Sequence, residues 1–232
     1  MKRIGVFLSV MMLSLFLLDK VAGYTLSIIF QDTKSGLLGG KINYAIQDTL
    51  SYKTAIVGNS RALHHVVPDS FPKAFNFGKG GEGIGYHLGV LKILESQKAI
   101  PELVLLHIDA RDFFSDSLDQ PSRLLKDLDK LSPFYKRVPW LRRTINDLTW
   151  TNHVKYFFSS YQYNGMIPSL LKNYFTTKRN PNFKTDGFSP MYASENDSIN
   201  INQAILKLKN NQVESYFSKT AYNLLKEFQT TC

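Results

Sequence analysis

Hydrophobic and polar positions divide the chain into an apolar leader, a polar entry stretch, three short apolar runs and a longer amphipathic half. Lys2 and Arg3 precede fifteen uncharged residues, Ile4 to Leu18 (IGVFLSVMMLSLFLL), followed by Asp19-Lys20 and Val21-Ala22-Gly23. Cations ahead of an apolar stretch are the pattern of a signal sequence, and Val21-Ala22-Gly23 offers a small-residue cleavage site. Fifteen residues fall short of the roughly twenty that a span needs. Val21 to Phe30 is again mostly apolar, so a retained anchor would run past the charged pair. Residues 1–30 are therefore expected to be a signal peptide or a signal anchor. If the anchor is kept, the leading cations hold the N-terminus in the cytoplasm, and the body lies outside the cytoplasm.

Residues 31–51 carry Gly36, Gly39, Gly40 and several polar side chains, and read as a linker or irregular entry segment. Strand-like runs follow at Thr54–Val57, Ala74–Phe77 and Leu103–Ile108. The last (LVLLHI) is nearly continuous in apolar residues, as expected of a strand covered on both faces. Between the second and third runs, Ile84, Leu88, Leu91 and Leu94 recur at helical spacing within Gly83–Gln97. Strand, helix, strand predicts a parallel sheet with helices on both faces. Ser115 to Tyr174 is helical and loop-like, with Phe134, Tyr135, Trp140, Trp150, Tyr156, Phe157, Phe158, Tyr161 and Tyr163 among basic residues. These aromatics predict the core of an inserted helical subregion, or a surface facing membrane or glycan. Lys178–Pro190 reads as a loop and Asn211–Gln229 as a helix.

Composition narrows the function classes. A chain of 232 residues, 44% hydrophobic and 20% charged, holds one ordinary domain, 52–232, behind its leader. The net charge of +9 is scattered apart from Lys136, Arg137, Arg142 and Arg143. No nucleic-acid-binding signature accompanies it, so the expectation is attraction to anionic surfaces such as membranes and cell-wall polymers, not nucleic acid. Cys232 is the single cysteine, which leaves no internal disulfide and no Cys/His spacing suited to zinc. No metal or organic cofactor is implied.

The candidate chemistry sits at Thr54-Ala55-Ile56-Val57-Gly58-Asn59-Ser60-Arg61-Ala62 (TAIVGNSRA). A serine nucleophile needs its Oγ exposed on a sharp turn at a strand end, with backbone N–H groups nearby for an oxyanion. Gly58 allows the turn, and Ser60 heads the next helix. The structural alternative is a serine that merely caps that helix. Gly58-Asn59-Ser60 resembles the Gly-Asp-Ser block of the SGNH (GDSL-type) hydrolases, with Asn59 where that family has Asp. Asn76-Phe77-Gly78-Lys79-Gly80-Gly81 is similar to the second family block, and the resemblance implies that the Gly81 amide serves the oxyanion. With His64-His65, Pro68, Pro101 to Leu106 and Gly187-Phe188-Ser189-Pro190-Met191-Tyr192, the chain looks like membrane-anchored, SGNH-like envelope proteins of Bacteroidetes-type bacteria. The resemblance implies a three-layer αβα, flavodoxin-like fold. It also implies esterase or O-acyltransferase chemistry on ester-bearing glycans or lipids of the cell envelope, in a body that faces the periplasm from the inner membrane or is exported after signal cleavage.

Two family blocks depart from this. Where an oxyanion asparagine belongs, the chain reads His107-Ile108-Asp109-Ala110-Arg111-Asp112, and Asp109 is a weak substitute because an ionised carboxylate cannot donate. The Asp-x-x-His block is missing: three residues before the five histidines stand Arg61, Ala62, Ile84, Val104 and Trp150. His64 and His65 lie on the helix of Ser60 itself and point to packing. The expectation is a sheet incomplete at the C-terminus and an impaired enzyme, with a non-catalytic envelope protein as the alternative. A third option is a dinucleotide site, since Gly78-x-Gly80-x-x-Gly83 stands between a strand and a helix. Whether that loop faces Ser60 or opens its own cleft separates the two.

Overall fold

The structure, a computed structural model, describes residues 2–37, 39–47, 52–108, 120–180, 184–190 and 219–231. Its sheet has three parallel strands, β1 (Thr54–Gly58), β2 (Ala74–Asn76) and β3 (Leu103–His107), in the order β2-β1-β3. The central β1 sets Ile56 opposite Asn76 and Gly58 opposite His107. Every β1 residue is buried, as an apolar run with a neighbour on each side requires. Since the strands are parallel, their carboxyl ends share one rim, and the segments leaving Gly58, Asn76 and His107 all start there.

α3 (Ser60–His65) and a 3₁₀ turn at Pro68–Ser70 lead from β1 to β2; α4 (Ile84–Ser96) leads from β2 past β1 to β3. Ten of the thirteen α4 residues are buried, the mark of a helix that is enclosed on all sides. Around it pack α2 (Gly40–Gln47), α5 (Pro121–Asp129), α6 (Pro139–Leu148) and α9 (Lys219–Thr231). Leu88, Leu91, Ile93 and Leu94 are shut away from water, each contributing roughly 2 kcal/mol of transfer free energy. α4 is the spine of the core.

The chain is thus α/β, with a small parallel sheet and a large helical portion. That portion adds α7 (Thr151–Phe157) and α8 (Ile167–Arg179) to α5 and α6. Pro121, Pro139 and Pro168 stand in the first turns of α5, α6 and α8, where the missing N–H costs nothing. The aromatics divide. Phe134, Tyr135, Tyr156 and Tyr163 join one core with the sheet, and Tyr135 stacks on Tyr156 at 4.0 Å between ring centres. Trp150, Phe157 and Phe158 stay exposed.

α1 (Lys2–Asp32) is one helix that passes through Asp19-Lys20 without a break. It is long and apolar enough to cross a membrane, by length and composition. Ile4 to Leu18 lie mostly bare, whereas Phe30 is buried against Phe134. Where the charged pair meets the body, Asp19 accepts from the Ser159 amide (2.7 Å), the Ser160 amide (3.0 Å) and the Ser160 hydroxyl (2.6 Å). A Cβ at Gly23 would come within 2.4 Å of Ser159 Cβ, so only glycine lets the helix lie this close.

Two expectations are corrected, and a third is described only in part. The 31–51 stretch is no bare linker: α2 lies within it, with Ile42, Asn43 and Ala45 buried. Asn43 Nδ2 donates to the Phe30 carbonyl (2.6 Å) and the Thr33 carbonyl (3.2 Å). The glycines mark turns that fold α2 back on α1, not slack chain. β3 is not covered on both faces; Leu103 is 49% exposed, because among the described residues β3 is an edge of the sheet. Of the helix expected over Asn211–Gln229, the described part runs Lys219–Thr231; Met191 and Tyr192 lie outside the described residues.

Candidate functional site

Gly58 ends β1 with φ +148°, a conformation L side chains rarely adopt, and an added Cβ would lie 2.8 Å from both the Cβ and the carbonyl oxygen of His107. Glycine is therefore required at this turn. The next two residues divide the polar work. The Asn59 side chain caps α3 by accepting from the Arg61 amide at 2.9 Å. Ser60 is left at the first helical position, exposed, and its hydroxyl has no hydrogen-bond partner among the described residues. Ser60 is not the cap.

The segment after β2 comes alongside. Lys79 donates its amide to the Gly58 carbonyl (2.9 Å), stitching the loop to the β1 turn. A Cβ built on Gly80 would stand 3.4 Å from Ser60 Cβ. Gly81 follows with φ +77° and open space on its Cβ side. Ser60 and the Gly80-Gly81 backbone thus share the carboxyl rim of β1 and β2, both facing solvent. Asp109, Arg111 and Asp112 lie outside the described residues.

Asn76 holds this loop in place. It is fully buried, donates from Nδ2 to the carbonyls of Ala62 (2.7 Å) and Val66 (3.0 Å), and accepts from the Gly78 amide (2.8 Å). From α2, Lys41 Nζ donates to the Gly78 carbonyl at 3.0 Å. Burial lowers the Lys41 pKa to about 8; Asp186 opposes the shift and Lys79 adds to it. His64 points its Nδ1 at the Ser189 carbonyl, and Ser189 donates its amide to the Leu63 carbonyl at 3.3 Å. The Gly187–Pro190 segment therefore docks on α3, and His64 is occupied there.

On the other flank of Asn59, the sheet order reverses between β1 and β3. In open parallel sheets ligand crevices form outside the carboxyl ends at such a reversal. Here Asn59, Glu82, His87, Leu106, His107 and Ile108 enclose a narrow crevice of about 10 Å³, room for a single water. His87 is buried, with the Glu82 backbone beside it, and among the described residues neither of its ring nitrogens nor His107 Nδ1 makes a well-formed hydrogen bond. Burial drives the His87 pKa down to about 3; the Glu82 backbone opposes this, and Lys79 and His107 add to it. Lys79 and Glu82, both nearly buried, pair at 3.4 Å, with the ammonium 4.6 Å from the centre of the Tyr86 ring. Burial also lowers the Lys79 pKa, against the pull of Glu82. Lys41, Lys79, Glu82, His87 and His107 were not singled out by sequence. His87 and His107 stand inside apolar runs, where a polar residue looks the same whether it serves a site or fills core, and Lys41, Lys79 and Glu82 stand beside glycines, where a charge reads as an ordinary loop residue. A recess of about 360 Å³ between α5 and the Asn164–Met166 turn shares no lining residue with this rim.

Among the described residues no cluster of histidine, cysteine, aspartate and glutamate is arranged to hold a metal ion. No protein-family model, curated protein or solved structure matches the chain.

Proposed function

We propose that the chain is a membrane-anchored, extracytoplasmic domain of SGNH type, with Ser60 as a nucleophile toward carbohydrate or lipid esters of the cell envelope. The β2-β1-β3 order is that of the first three strands of a flavodoxin-like sheet. Docking of Asp19, Gly23 and Phe30 on the body favours a retained anchor, because cleavage after Gly23 would strip away the three hydrogen bonds of Asp19. Lys2 and Arg3 favour a body outside the cytoplasm.

One observation carries the chemistry: Asn59 takes the helix cap, which leaves the exposed Ser60 hydroxyl against Gly80 without a hydrogen-bond partner among the described residues. In the proposed reaction Ser60 Oγ bonds to the ester carbonyl carbon as its proton passes to solvent water and the carbonyl electron pair moves onto oxygen. The Ser60 and Gly81 amides hold that oxyanion; when it collapses, the ester C–O bond breaks and the alcohol departs with a proton returned from water. Water or a glycan hydroxyl then takes the acyl group from Ser60. The chemistry calls for no metal or organic cofactor. Because Gly80 faces Ser60, the glycine loop serves this site better than a separate dinucleotide cleft.

A second reading has its own support. No histidine or carboxylate is hydrogen-bonded to Ser60 Oγ among the described residues, which favours a non-catalytic envelope protein. Without a base, turnover falls by several orders of magnitude. A fluorophosphonate probe on the full chain decides between them. Labelling of Ser60, absent in Ser60→Ala, is the expected result; a wild-type chain that stays unlabelled while folded rejects the nucleophile.

A further inference from the structure

We infer that the junction between α1 and the body is a seat for an anionic phospholipid surface: an apolar flank submerged in the bilayer interface beside a cationic recess for a lipid phosphate. The inference rests on the anchored reading of α1. Trp150, Val154 and Phe157 recur along α7 at spacings of four and three, opposite the buried Asn152 and Tyr156, and Phe158 extends the same patch. All four are exposed, Trp150 by 75%. The patch adjoins the anchor itself. The Phe157 ring lies 5.7 Å from that of Phe16, and Lys20 Nζ is 4.6 and 4.9 Å from the two ring centres.

Length decides how deep this contact sits. A hydrocarbon core of about 30 Å takes about twenty helical residues, which from Ile4 reach Gly23. Leu18 stops roughly 8 Å short of that. The outward face of α1 stays apolar and exposed through Val21 and Ile28, while its inward face is docked on the body. α1 therefore spans the core only if the bilayer boundary rises past Lys20 along that outward face. The flank of the body at the level of Phe16 is then drawn into the interface. That flank is the one bearing Trp150, Val154, Phe157 and Phe158.

Just above it, a recess of about 290 Å³ is lined by Lys20, Tyr24, Ser27, Lys136, Arg137 and Ser159, among others. Lys20 and Lys136 both donate to Ser159 Oγ, at 3.2 and 2.8 Å, and Arg137 reaches Ser27 Oγ at 3.1 Å. Three cations face one carboxylate, Asp19, which pairs with Lys20 at 3.3 Å and already accepts from Ser159 and Ser160. The remaining positive charge, above an apolar flank and beside aromatics that suit the headgroup level, matches a phosphodiester with acyl chains below it.

The test uses the full chain reconstituted in phosphatidylcholine vesicles with or without phosphatidylglycerol. Trp140→Phe leaves Trp150 as the only tryptophan, since the chain has two. Its emission should be blue-shifted and quenched by lipids spin-labelled high on the acyl chain. If Trp140→Phe misfolds, the difference between wild type and Trp150→Phe reports the same residue. Chains that float with the vesicles and resist alkaline extraction, yet show a water-exposed Trp150, overturn the seat and leave the anchor standing. Chains that do not float overturn the anchor, and the seat with it. For the recess, wild type should retain phosphatidylglycerol over phosphatidylcholine when extracted in mild detergent. Lys136→Gln with Arg137→Gln should cut that enrichment several-fold, each cation at such a surface being worth up to a factor of about five. Unchanged enrichment, or its loss to millimolar inorganic phosphate, overturns the lipid-phosphate assignment.

Discussion

Asn59 and Ser60 are both residues that cap helices well, and which of them does so decides whether Ser60 has a hydroxyl to offer. In the fold Asn59 accepts from the Arg61 amide. Asn59→Ala should therefore cost about 1 kcal/mol in urea unfolding. Asn59→Asp should be neutral or stabilising, because it keeps the acceptor and adds negative charge at a helix start. The sequence placed the Gly58-Asn59-Ser60 turn at a strand end but could not assign the cap, which follows from the φ of Gly58 and its packing on His107. Gly80 offers a second test at this scale. A valine there puts methyls against Ser60 on an exposed loop. Gly80→Val should fold like wild type yet slow fluorophosphonate labelling by on the order of a hundredfold, the usual penalty for an ångström of displacement. Equal labelling rates would place the reacting face of Ser60 elsewhere.

Among the elements, α1 has a bare apolar N-terminal half and a docked C-terminal half, and its seam with the body is narrow. Asp19 satisfies the Ser159 and Ser160 amides, and Gly23 permits the approach. Asp19→Ala leaves both amides without their acceptor, worth about 1–3 kcal/mol for each buried donor stranded. Hydrogen exchange at Ser159 and Ser160 should accelerate by at least tenfold while exchange along α4 stays unchanged. Gly23→Leu should do the same by wedging the seam open; a loss of protection spread evenly over the chain would mean that α1 is part of the cooperative core. Legibility differed by element. The runs of β1, β2 and β3 and the period of α4 were plain, because buried strands and an enclosed helix leave little freedom in residue type. α2 escapes a sequence reading because eight residues opening on a glycine pair carry too little period, and its one clear cue is Ile42 and Ala45, three apart. The divided fate of the aromatics was invisible too. Phe157 and Tyr156 are neighbours in sequence, and only the docking of α7 turns one into the core and the other toward Phe16.

At the scale of the whole molecule, stability hangs on α4, and α4 carries an ionisable ring at its centre. Burial holds the His87 pKa near 3, well below its ordinary 6.5, with Lys79 and His107 adding to the shift. The unfolded chain therefore takes up a proton below pH 6.5 that the fold refuses until about pH 3. By linkage, stability attributable to this group is complete above pH 6.5 and drains away on acidification across that window. The slope is at most about 1.4 kcal/mol per pH unit, and the total is on the order of several kcal/mol. Against a typical 5–15 kcal/mol for a whole domain, that is enough to make the protein acid-labile. Urea midpoints measured from pH 7.5 to pH 4 should fall steadily. In His87→Leu, which keeps an apolar side chain of similar reach inside α4, the decline should lose most of its slope while stability near neutrality is retained. If the two proteins lose stability in parallel, the carboxylates govern acid unfolding and His87 is protonated within the fold. The distinction reaches the site as well, since His87 and Asn59 line the same crevice beside Ser60. A proton forced onto His87 would add charge at the one rim where the proposed oxyanion forms, so acid should unfold the core and disturb Ser60 through the same group.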